Sequence, residues 1–275
     1  MRVRLVSAVD AAVLRDLAVA VAHEGAELAR RMRDEGVDVA DTKSSATDVV
    51  TRADRAVEQL LRDRLLGERP DDAILGEEGD DHAGTSGVRW ILDPIDGTVN
   101  YLYGIRDCAV SVAAEQDGVL VAGAVVGIGA DVEYAAALGH GATRNGTTIS
   151  VRPSPPVAQR LVMTGFGYRP EVRTHQARCL ALLLPAVRDI RRIGSSALDI
   201  CHVADGSADA YVEEGSQPWD WSAAAVVLRE AGGRFDVLAG TMELEGWPDV
   251  AVVVASPSDG WDSFVEVLRE TGFVA

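Results

Sequence analysis

The sequence predicts a mixed protein, between the α+β and α/β classes, with an antiparallel N-terminal part and an alternating C-terminal part. Three observations predict it. Apolar residues recur at three- and four-residue steps in two N-terminal segments, and hairpin-linked strands follow between about residues 73 and 151. Strand-like and helix-like segments then alternate. A proline-rich stretch at 152–156 divides the chain into a unit of residues 1–152 and a unit of residues 153–275.

Two amphipathic helices are predicted at the N-terminus, the first over about 9–32 and the second from about Thr51 or Asp54 to Leu66. Gly36 and Gly67 follow the last apolar positions of these segments and are placed to end them. The polar stretch between them, residues 41–48, is predicted to be a mobile loop.

The next segments change to the period of strands. Asp117-Gly118 is a hairpin signal, and residues 139–146 are predicted to form a turn. We predict strands at 73–75, 88–92, 108–114, 119–126, 132–138 and 147–151, the first two ending at acidic residues. An antiparallel sheet covered by the two N-terminal helices is therefore expected.

In the C-terminal half, strands and helices are expected to alternate. The strand-like segments are 161–164, 190–193, 208–212 and 250–255, and the helix-like segments are 175–184, 196–204, 222–231 and 261–271.

Composition limits the function classes. The 26 Lys and Arg against 43 Asp and Glu give a formal charge of −17, which excludes generic nucleic-acid binding through a basic face. The longest apolar run, residues 179–187, is far shorter than the roughly 20 residues of a membrane span. The three cysteines lack CxxC spacing, and no secretory leader is visible, so we expect a cytoplasmic protein.

The segment Trp90-Ile-Leu-Asp93-Pro94-Ile-Asp96-Gly97-Thr98 is the most informative in the chain. A buried strand delivers Asp93 at its end, and Pro94 with Gly97 is expected to form a turn that brings Asp96 beside it. Two neighbouring carboxylates repel each other unless a cation lies between them, and oxygen ligands of this kind suit Mg²⁺. The alternative for a bare DxxD is a surface Asx turn.

Two further acidic residues fit the same site. Glu77 follows the predicted strand at 73–75, and Asp220 lies at the head of the predicted helix at 222–231, where the helix dipole favours a carboxylate. Taken alone, Glu77 could lie in a solvated acidic loop and Asp220 could be a helix N-cap.

Five blocks, in this order, carry a resemblance to a known family. They are Lys43-Ser-Ser-Ala-Thr-Asp48-Val-Val-Thr51-Arg-Ala-Asp54, Gly76-Glu77-Glu78, Trp90 to Asn100, Gly194-Ser-Ser-Ala197, and Trp219-Asp220 followed by Glu230-Ala-Gly-Gly233. The chain resembles the inositol monophosphatase family, within the Mg²⁺-dependent, lithium-sensitive phosphatases that include fructose-1,6-bisphosphatase. The resemblance implies a layered α-β-α-β-α sandwich, a homodimer, and hydrolysis of a small phosphate monoester, myo-inositol 1-phosphate first.

The resemblance also implies metal ligands. Glu77, Asp93 and the carbonyl of Ile95 would hold a first Mg²⁺, and Asp93, Asp96 and Asp220 would hold a second. A third would bind through Glu77 and waters. Two metals can lower the pKa of a bound water and stabilise both oxygens of an in-line displacement.

Catalytic and substrate-binding roles follow in the same way. Thr98, paired with Asp48, would orient the attacking water, together with Glu77. The substrate would meet Asp96, Gly97, Thr98, Gly194, Ser195, Ser196, Ala197, Glu213 and Asp220. Two positions depart from the family's pattern. Ser222, preceded by Trp221, takes the first place of a common alanine pair, and Tyr101 stands where members often have Phe. Neither departure removes a ligand.

Other functions stay open. Histidinol phosphate, 3′-phosphoadenosine and fructose bisphosphate phosphatases share the metal site, and the first tend to carry Arg where Val99 stands. A binding protein that contacts the transcription machinery would be expected to lose a ligand, and here every ligand position is filled. The sequence contains no Cys-x₅-Arg loop and no GxxxxGK[ST], so cysteinyl-phosphate and P-loop chemistry are not supported.

Overall fold

Seven α-helices and fourteen strands form in the part of the chain that the structure, a computed structural model, describes: residues 9–37, 39–42, 49–242 and 250–275. The helices are α1 (Ala11–Glu35), α2 (Arg52–Glu68), α3 (Thr98–Tyr103), α4 (Pro170–Leu183), α5 (Ser196–Ala204), α6 (Pro218–Glu230) and α7 (Trp261–Glu270). The strands are β1 (Val39–Thr42), β2 (Val49–Thr51), β3 (Ala73–Gly76), β4 (Val88–Asp96), β5 (Ala109–Gln116), β6 (Val119–Gly127), β7 (Glu133–Ala137), β8 (Gly141–Arg144), β9 (Thr147–Ile149), β10 (Leu161–Thr164), β11 (Asp189–Arg191), β12 (Ala210–Glu214), β13 (Gly233–Ala239) and β14 (Ala251–Pro257).

The two predicted N-terminal helices are confirmed, with one wrong end. The Asp10 side chain accepts a hydrogen bond from the Ala12 amide at the start of α1, and Gly36 follows its end. Gly67 was expected to end α2 but lies inside it. The helix ends one residue later, at Glu68, shortly before Pro70, because a proline cannot continue a helix.

A seven-stranded sheet in the order β3-β4-β5-β6-β7-β8-β9 forms from the N-terminal half. Its neighbours pair antiparallel, as predicted, except that β3 and β4 are parallel. Asp117 and Gly118 have φ of 51° and 84°, as the predicted hairpin turn requires.

Two predicted loops contain strands. The predicted turn at 139–146 includes β8, and Asn145-Gly146 alone makes the turn to β9, with φ of 49° and 72°. In the predicted loop at 41–48, residues 41 and 42 belong to β1, which pairs antiparallel with β2. Residues 43–48 lie outside the described residues. Periodicity misses such strands because they are three or four residues long.

A five-stranded sheet in the order β11-β10-β12-β14-β13 forms from the C-terminal half. The strands β11, β10 and β12 are parallel, whereas β14 and β13 pair antiparallel. The sequence predicts four of these strands and misses β13, an edge strand whose exposed residues include Arg234. The short α3 was also missed.

The elements stack in five layers, which confirms the predicted α-β-α-β-α sandwich. One apolar core joins α1 and α2 to one face of the seven-stranded sheet. A second core fills the space between the two sheets and includes α5 and α6, and a third joins the outer face of the five-stranded sheet to α4 and α7. The division at residues 152/153 stays a prediction.

Among the described ranges, no helix combines the length and apolarity that crossing a membrane requires.

Candidate active site

The end of β4 carries two buried carboxylates, Asp93 and Asp96. In the pairing with β5, Asp93 lies opposite Ser111 and Asp96 opposite Ala109, so three steps on one strand match two on the other. This extra residue is a β-bulge, which places both carboxylates on one side of the sheet. The predicted strand end at Asp93, followed by a turn, is therefore wrong: β4 continues through the bulge to Asp96. The bulge accommodates Pro94, which has no N–H for the ladder.

Glu77 reaches the same place from the neighbouring strand. The parallel pairing of β3 with β4 sets Gly76 opposite Leu92, and so the next residue, Glu77, comes beside Asp93. Burial raises the pKa of Asp93 well above its usual range, and the charges of Glu77, Asp96 and Asp220 raise it further. Four carboxylates from three separate segments therefore lie within interaction distance of one another.

Asp220 is the fourth carboxylate and stands in the first turn of α6. Its Oδ2 accepts a hydrogen bond of 2.7 Å from the Gln217 amide, which makes it the third residue of a capping box and not the N-cap. Burial raises the pKa of Asp220 well above its usual range, and the charges of Glu77 and Asp96 add to this. Capping fixes the side chain without preventing its approach to the other carboxylates.

Asp96 is held by the start of α5. Its Oδ2 accepts hydrogen bonds from Ser195 Oγ at 2.6 Å and from the Ala197 amide at 2.7 Å, and its Oδ1 accepts from the Ser196 amide at 3.2 Å. Burial raises the pKa of Asp96 to about 7, although these three hydrogen bonds favour the charged form. The 194–197 segment, which was predicted to meet substrate hydroxyls, therefore contacts the predicted metal ligand Asp96.

Thr98 begins α3 directly after Gly97. Gly97 has a φ of 94°, and a Cβ there would lie 2.9 Å from the Gly194 carbonyl oxygen, so glycine is required for both reasons. Thr98 Oγ1 lies 3.1 Å from Asp54 Oδ1 and 3.1 Å from the Ile95 carbonyl oxygen. The predicted partner Asp48 is outside the described residues, so the Thr98–Asp48 pair stays a prediction.

Glu213 is fixed on β12 by two hydroxyl groups. Its Oε2 accepts hydrogen bonds of 2.5 Å from Tyr211 and 3.0 Å from Ser196. Burial raises its pKa, whereas these two hydrogen bonds lower it. A Cβ on Gly165 would lie 2.0 Å from Glu213 Oε2, so a side chain at this position would displace the carboxylate from its present place.

These residues enclose a cavity of about 120 Å³. It brings together most of the predicted site: Glu77, Asp93, Ile95, Asp96, Gly97, Thr98, Gly194, Ser195, Ser196, Glu213 and Asp220. Ala197 is fully buried and contributes its amide to Asp96 without lining the cavity.

Four side chains in the cavity wall were not predicted from the sequence. They are Phe166, Tyr168, Arg192 and Asp199. Asp199 is 1% exposed, and its Oδ1 has no hydrogen-bond partner among the described residues. A carboxylate at a buried position of the correctly predicted helix 196–204 was the available signal.

The donor set fits Mg²⁺. Magnesium prefers oxygen ligands, and the cavity offers four carboxylates and the Ile95 carbonyl. Burial and mutual repulsion together raise the pKa of Asp93 and of Asp220. Bound cations would relieve that repulsion and hold the carboxylates in their charged form.

Known proteins resemble this chain over nearly its whole length. The model of the inositol monophosphatase family matches residues 10–270. The inositol-1-monophosphatase SuhB of Mycobacterium tuberculosis is 44% identical over 266 residues, which cover 90% of this chain and 91% of that protein. The Nus factor SuhB of Xylella fastidiosa is 37% identical over 192 residues, 70% of each chain. The solved structure of Mycobacterium tuberculosis SuhB has a TM-score of 0.81 and 39% identity, covering 97% of this chain and 99% of that one.

Proposed function

The chain belongs to the inositol monophosphatase family and is a phosphatase, and on that premise we propose that it hydrolyses myo-inositol 1-phosphate to inositol and phosphate with Mg²⁺ in its site. The observation that carries the proposal is the convergence of Glu77, Asp93, Asp96 and Asp220 in one buried cavity. A cluster of buried acidic groups costs stability, and its use is to hold cations that attract an anionic substrate.

Two or three Mg²⁺ ions would be held by side chains that already lie together. We assign Glu77, Asp93 and the Ile95 carbonyl to one ion and Asp93, Asp96 and Asp220 to another, with Glu77 and waters for a third. When bound, the ions would offset the charge of the phosphate and lower the pKa of a nearby water.

The remaining residues orient the reactants. Thr98 Oγ1, between Asp54 and the Ile95 carbonyl, is placed to hold the attacking water by a hydrogen bond. Two hydroxyl donors already fix the Glu213 side chain. Its carboxylate can therefore accept hydrogen bonds from the hydroxyls of the leaving alcohol with little further loss of side-chain entropy. We assign the 194–197 segment to the same face of the substrate.

The substrate is tested by phosphate release from a panel of monoesters, with Mg²⁺ and with EDTA. The panel contains myo-inositol 1-phosphate, histidinol phosphate, 3′-phosphoadenosine phosphate and fructose 1,6-bisphosphate. We expect Mg²⁺-dependent release with the highest kcat/KM for the inositol ester, and loss of release in Asp93→Asn, which controls for contaminating phosphatases. A higher kcat/KM for another ester would reassign the substrate, and undiminished release in EDTA would refute the metal mechanism.

A role in transcription is the second candidate, because a relative that is 37% identical is named a Nus factor. Such a role would use an outer surface and need no turnover. Asp93→Asn would then lose phosphatase activity and keep binding to transcription proteins, whereas absence of any such binding by the wild type would remove this candidate.

We further propose that the protein is a homodimer in the cytoplasm and does not bind nucleic acid generically. A charge of −17 opposes contact with a phosphate backbone, and the three cysteines are buried free thiols. Light scattering should give twice the mass of one chain, and a mass of one chain would contradict the dimer.

A further inference from the structure

We propose that Asp199 is a specificity-determining residue, which accepts a hydrogen bond from a second hydroxyl of the leaving alcohol beside the hydroxyl that Glu213 binds. The site thereby selects esters of polyols that carry at least two free hydroxyl groups. The inference rests on the proposed function and deepens it, because it names the chemical class of the leaving group. Asp199 lies on α5, outside the blocks that carry the family resemblance.

The Asp199 carboxylate is buried in the cavity wall and lacks a protein donor. The residue is 1% exposed and lines the cavity, and its Oδ1 has no hydrogen-bond partner among the described residues. A buried carboxylate oxygen without a donor costs stability, and native proteins keep few such groups. A donor that arrives with the substrate accounts for this oxygen.

The position of Asp199 on α5 brings it next to Glu213. Ser196 and Asp199 are three residues apart and therefore lie on one face of the helix. Ser196 Oγ donates to Glu213 Oε2 at 3.0 Å, so this face is turned toward Glu213. Burial raises the pKa of Asp199 well above its usual range, and the charge of Glu213 raises it further, which also shows that the two carboxylates are close.

Glu213 has a second oxygen to offer. Its two protein donors, Tyr211 and Ser196, both bind Oε2, and no described residue donates to Oε1. A carboxyl group can accept hydrogen bonds in either protonation state. The cavity therefore presents two acceptor oxygens on neighbouring side chains, Asp199 Oδ1 and Glu213 Oε1. Two hydroxyl groups of one small alcohol would supply the missing donors.

A neutral donor fits this end of the cavity better than a further cation. Arg192 lines the same cavity, and a Cβ added at Gly194 would lie 2.4 Å from Arg192 Nη1, so the guanidinium lies against the start of α5. Burial raises the pKa of both Asp199 and Glu213, and the charge of Arg192 opposes both shifts. Arg192 thus offsets part of the negative charge that would otherwise attract a metal ion.

Asp199→Leu tests the role, because leucine has a similar size and removes both oxygens. The readout is the ratio of kcat/KM for myo-inositol 1-phosphate to kcat/KM for 4-nitrophenyl phosphate, whose leaving group has no free hydroxyl. We expect this ratio to fall by about 10–100-fold, the usual range for a hydrogen bond to a charged group. Asp199→Asn keeps an acceptor oxygen and should lower the ratio less than Asp199→Leu does.

Single-deoxy analogues of myo-inositol 1-phosphate identify the hydroxyl that Asp199 binds. For the analogue without that hydroxyl, kcat/KM of the wild type should fall by the same factor. Asp199→Leu should lose nothing further with this analogue, since the interaction is already absent. Losses that multiply for every analogue would overturn the assignment, because Asp199 would then act on no hydroxyl of the substrate.

Two further measurements separate this role from a structural or a metal-binding one. In urea denaturation without substrate, Asp199→Leu should be at least as stable as the wild type, because a buried oxygen without a protein donor has been removed. Calorimetric titration with Mg²⁺ should give an unchanged affinity. A less stable variant that loses activity equally on all esters, or weaker Mg²⁺ binding, would overturn the proposal.

Asp205→Asn is the matched control, because Asp205 is a second carboxylate at the end of α5. Its side chain is 3% exposed and accepts a 2.7 Å hydrogen bond from the Tyr134 hydroxyl, and it does not line the cavity. The variant should lower stability and leave the ratio of kcat/KM for the two esters unchanged. Circular dichroism checks that each variant folds.

Failure of this inference differs from failure of the proposed function. If the wild type prefers the inositol ester and Asp199→Leu keeps the wild-type ratio, the assignment of Asp199 is wrong and the proposed function stands. A loss confined to histidinol phosphate, whose ammonium group a carboxylate also binds, would overturn the polyol assignment.

If the wild type releases no phosphate from any ester of the panel, the proposed function is wrong. In that case myo-inositol 1-phosphate is a stable ligand, and calorimetry measures its binding to the wild type and to Asp199→Leu directly. Tighter binding by the wild type would support the role of Asp199, whereas equal affinities or no binding would overturn it.

Discussion

Ser195 Oγ donates a 2.6 Å hydrogen bond to Asp96 Oδ2 and thereby joins the N-cap of α5 to the last residue of β4. Ser195 Oγ also accepts from the Leu198 amide at 3.3 Å, so one hydroxyl group caps a helix and holds a predicted metal ligand. The contact crosses from the five-stranded half of the molecule to the seven-stranded half. The geometry of Asp96 therefore depends on both halves.

We predict that Ser195→Ala lowers the free energy of unfolding by about 1–3 kcal/mol, because the helix loses its cap and Asp96 loses a donor. Urea denaturation of the metal-free protein measures it. Ser258→Ala, at an exposed hydroxyl far along the chain, is the control and should change little. An equal stability for Ser195→Ala and the wild type would show that water replaces this hydroxyl without cost.

Asp93→Asn should remove activity and stabilise the metal-free protein. Asp93 is buried, and the charges of Glu77, Asp96 and Asp220 raise its pKa, so replacing it with a neutral side chain relieves repulsion. We expect kcat to fall by several orders of magnitude and the Tm without Mg²⁺ to rise. Thermal denaturation with and without Mg²⁺ tests this. Activity within tenfold of the wild type would contradict the bridging role of Asp93.

Thr98→Ala should lower kcat by about 10²–10⁴-fold, the usual contribution of a positioned proton transfer, at nearly unchanged KM and Mg²⁺ affinity. Asp48→Asn should give a similar loss if it pairs with Thr98. The double variant should then cost much less than the product of the two losses, because the pair acts as one unit. Losses that multiply would mean that the two residues act separately.

Glu214 should make stability depend on pH. Burial raises its pKa to about 7, and neither of its carboxylate oxygens has a hydrogen-bond partner among the described residues. His175 Nε2 lies 3.1 Å from Oε1, but burial lowers the pKa of His175, so above pH 7 the imidazole is neutral and does not pair with the charged carboxylate.

The folded protein holds this proton more tightly than the unfolded chain, so the contribution of Glu214 to the free energy of unfolding falls as pH rises from about 4.5 to about 7. Glu214→Gln should therefore gain about 1–3 kcal/mol at pH 8 and nothing below pH 4.5. Urea denaturation at both pH values measures this, with Glu171→Gln, at an exposed position of α4, as control. An equal effect at both pH values would refute this account.

Lithium should inhibit in the millimolar range and uncompetitively with substrate. This expectation comes from the family, in which Li⁺ takes the second metal position after turnover. In this chain we assign that position to Asp93, Asp96 and Asp220. Initial rates over a grid of Li⁺ and substrate concentrations test it. Undiminished rates far above millimolar Li⁺ would reject the inhibition and leave the phosphatase activity untouched.

The sequence by itself determined the features that depend on nearby residues. Helical spacing located α1, and for residues 196–204 it gave both ends of α5, because one apolar face repeats along a helix whatever it packs against. Asp117-Gly118 located its hairpin, since few residues adopt the positive φ of that turn. The ordered blocks identified the family and most residues of the cavity.

Only the tertiary structure decided how those residues meet. Because β4 pairs with β5 on both sides of Pro94, the chain forms a bulge after Asp93 and not the predicted turn. Packing of α5 against the end of β4 brings Ser195 into hydrogen-bond contact with Asp96. The contacts of Asp54 with Thr98 and of Glu58 with the Glu78 and Gly79 amides were equally invisible, because a carboxylate in an amphipathic helix has the same local sequence whether it faces solvent or a distant loop. The physical reason is that burial, charge repulsion and hydrogen-bond partners are set by contacts between segments far apart in the chain, which local sequence preferences do not specify.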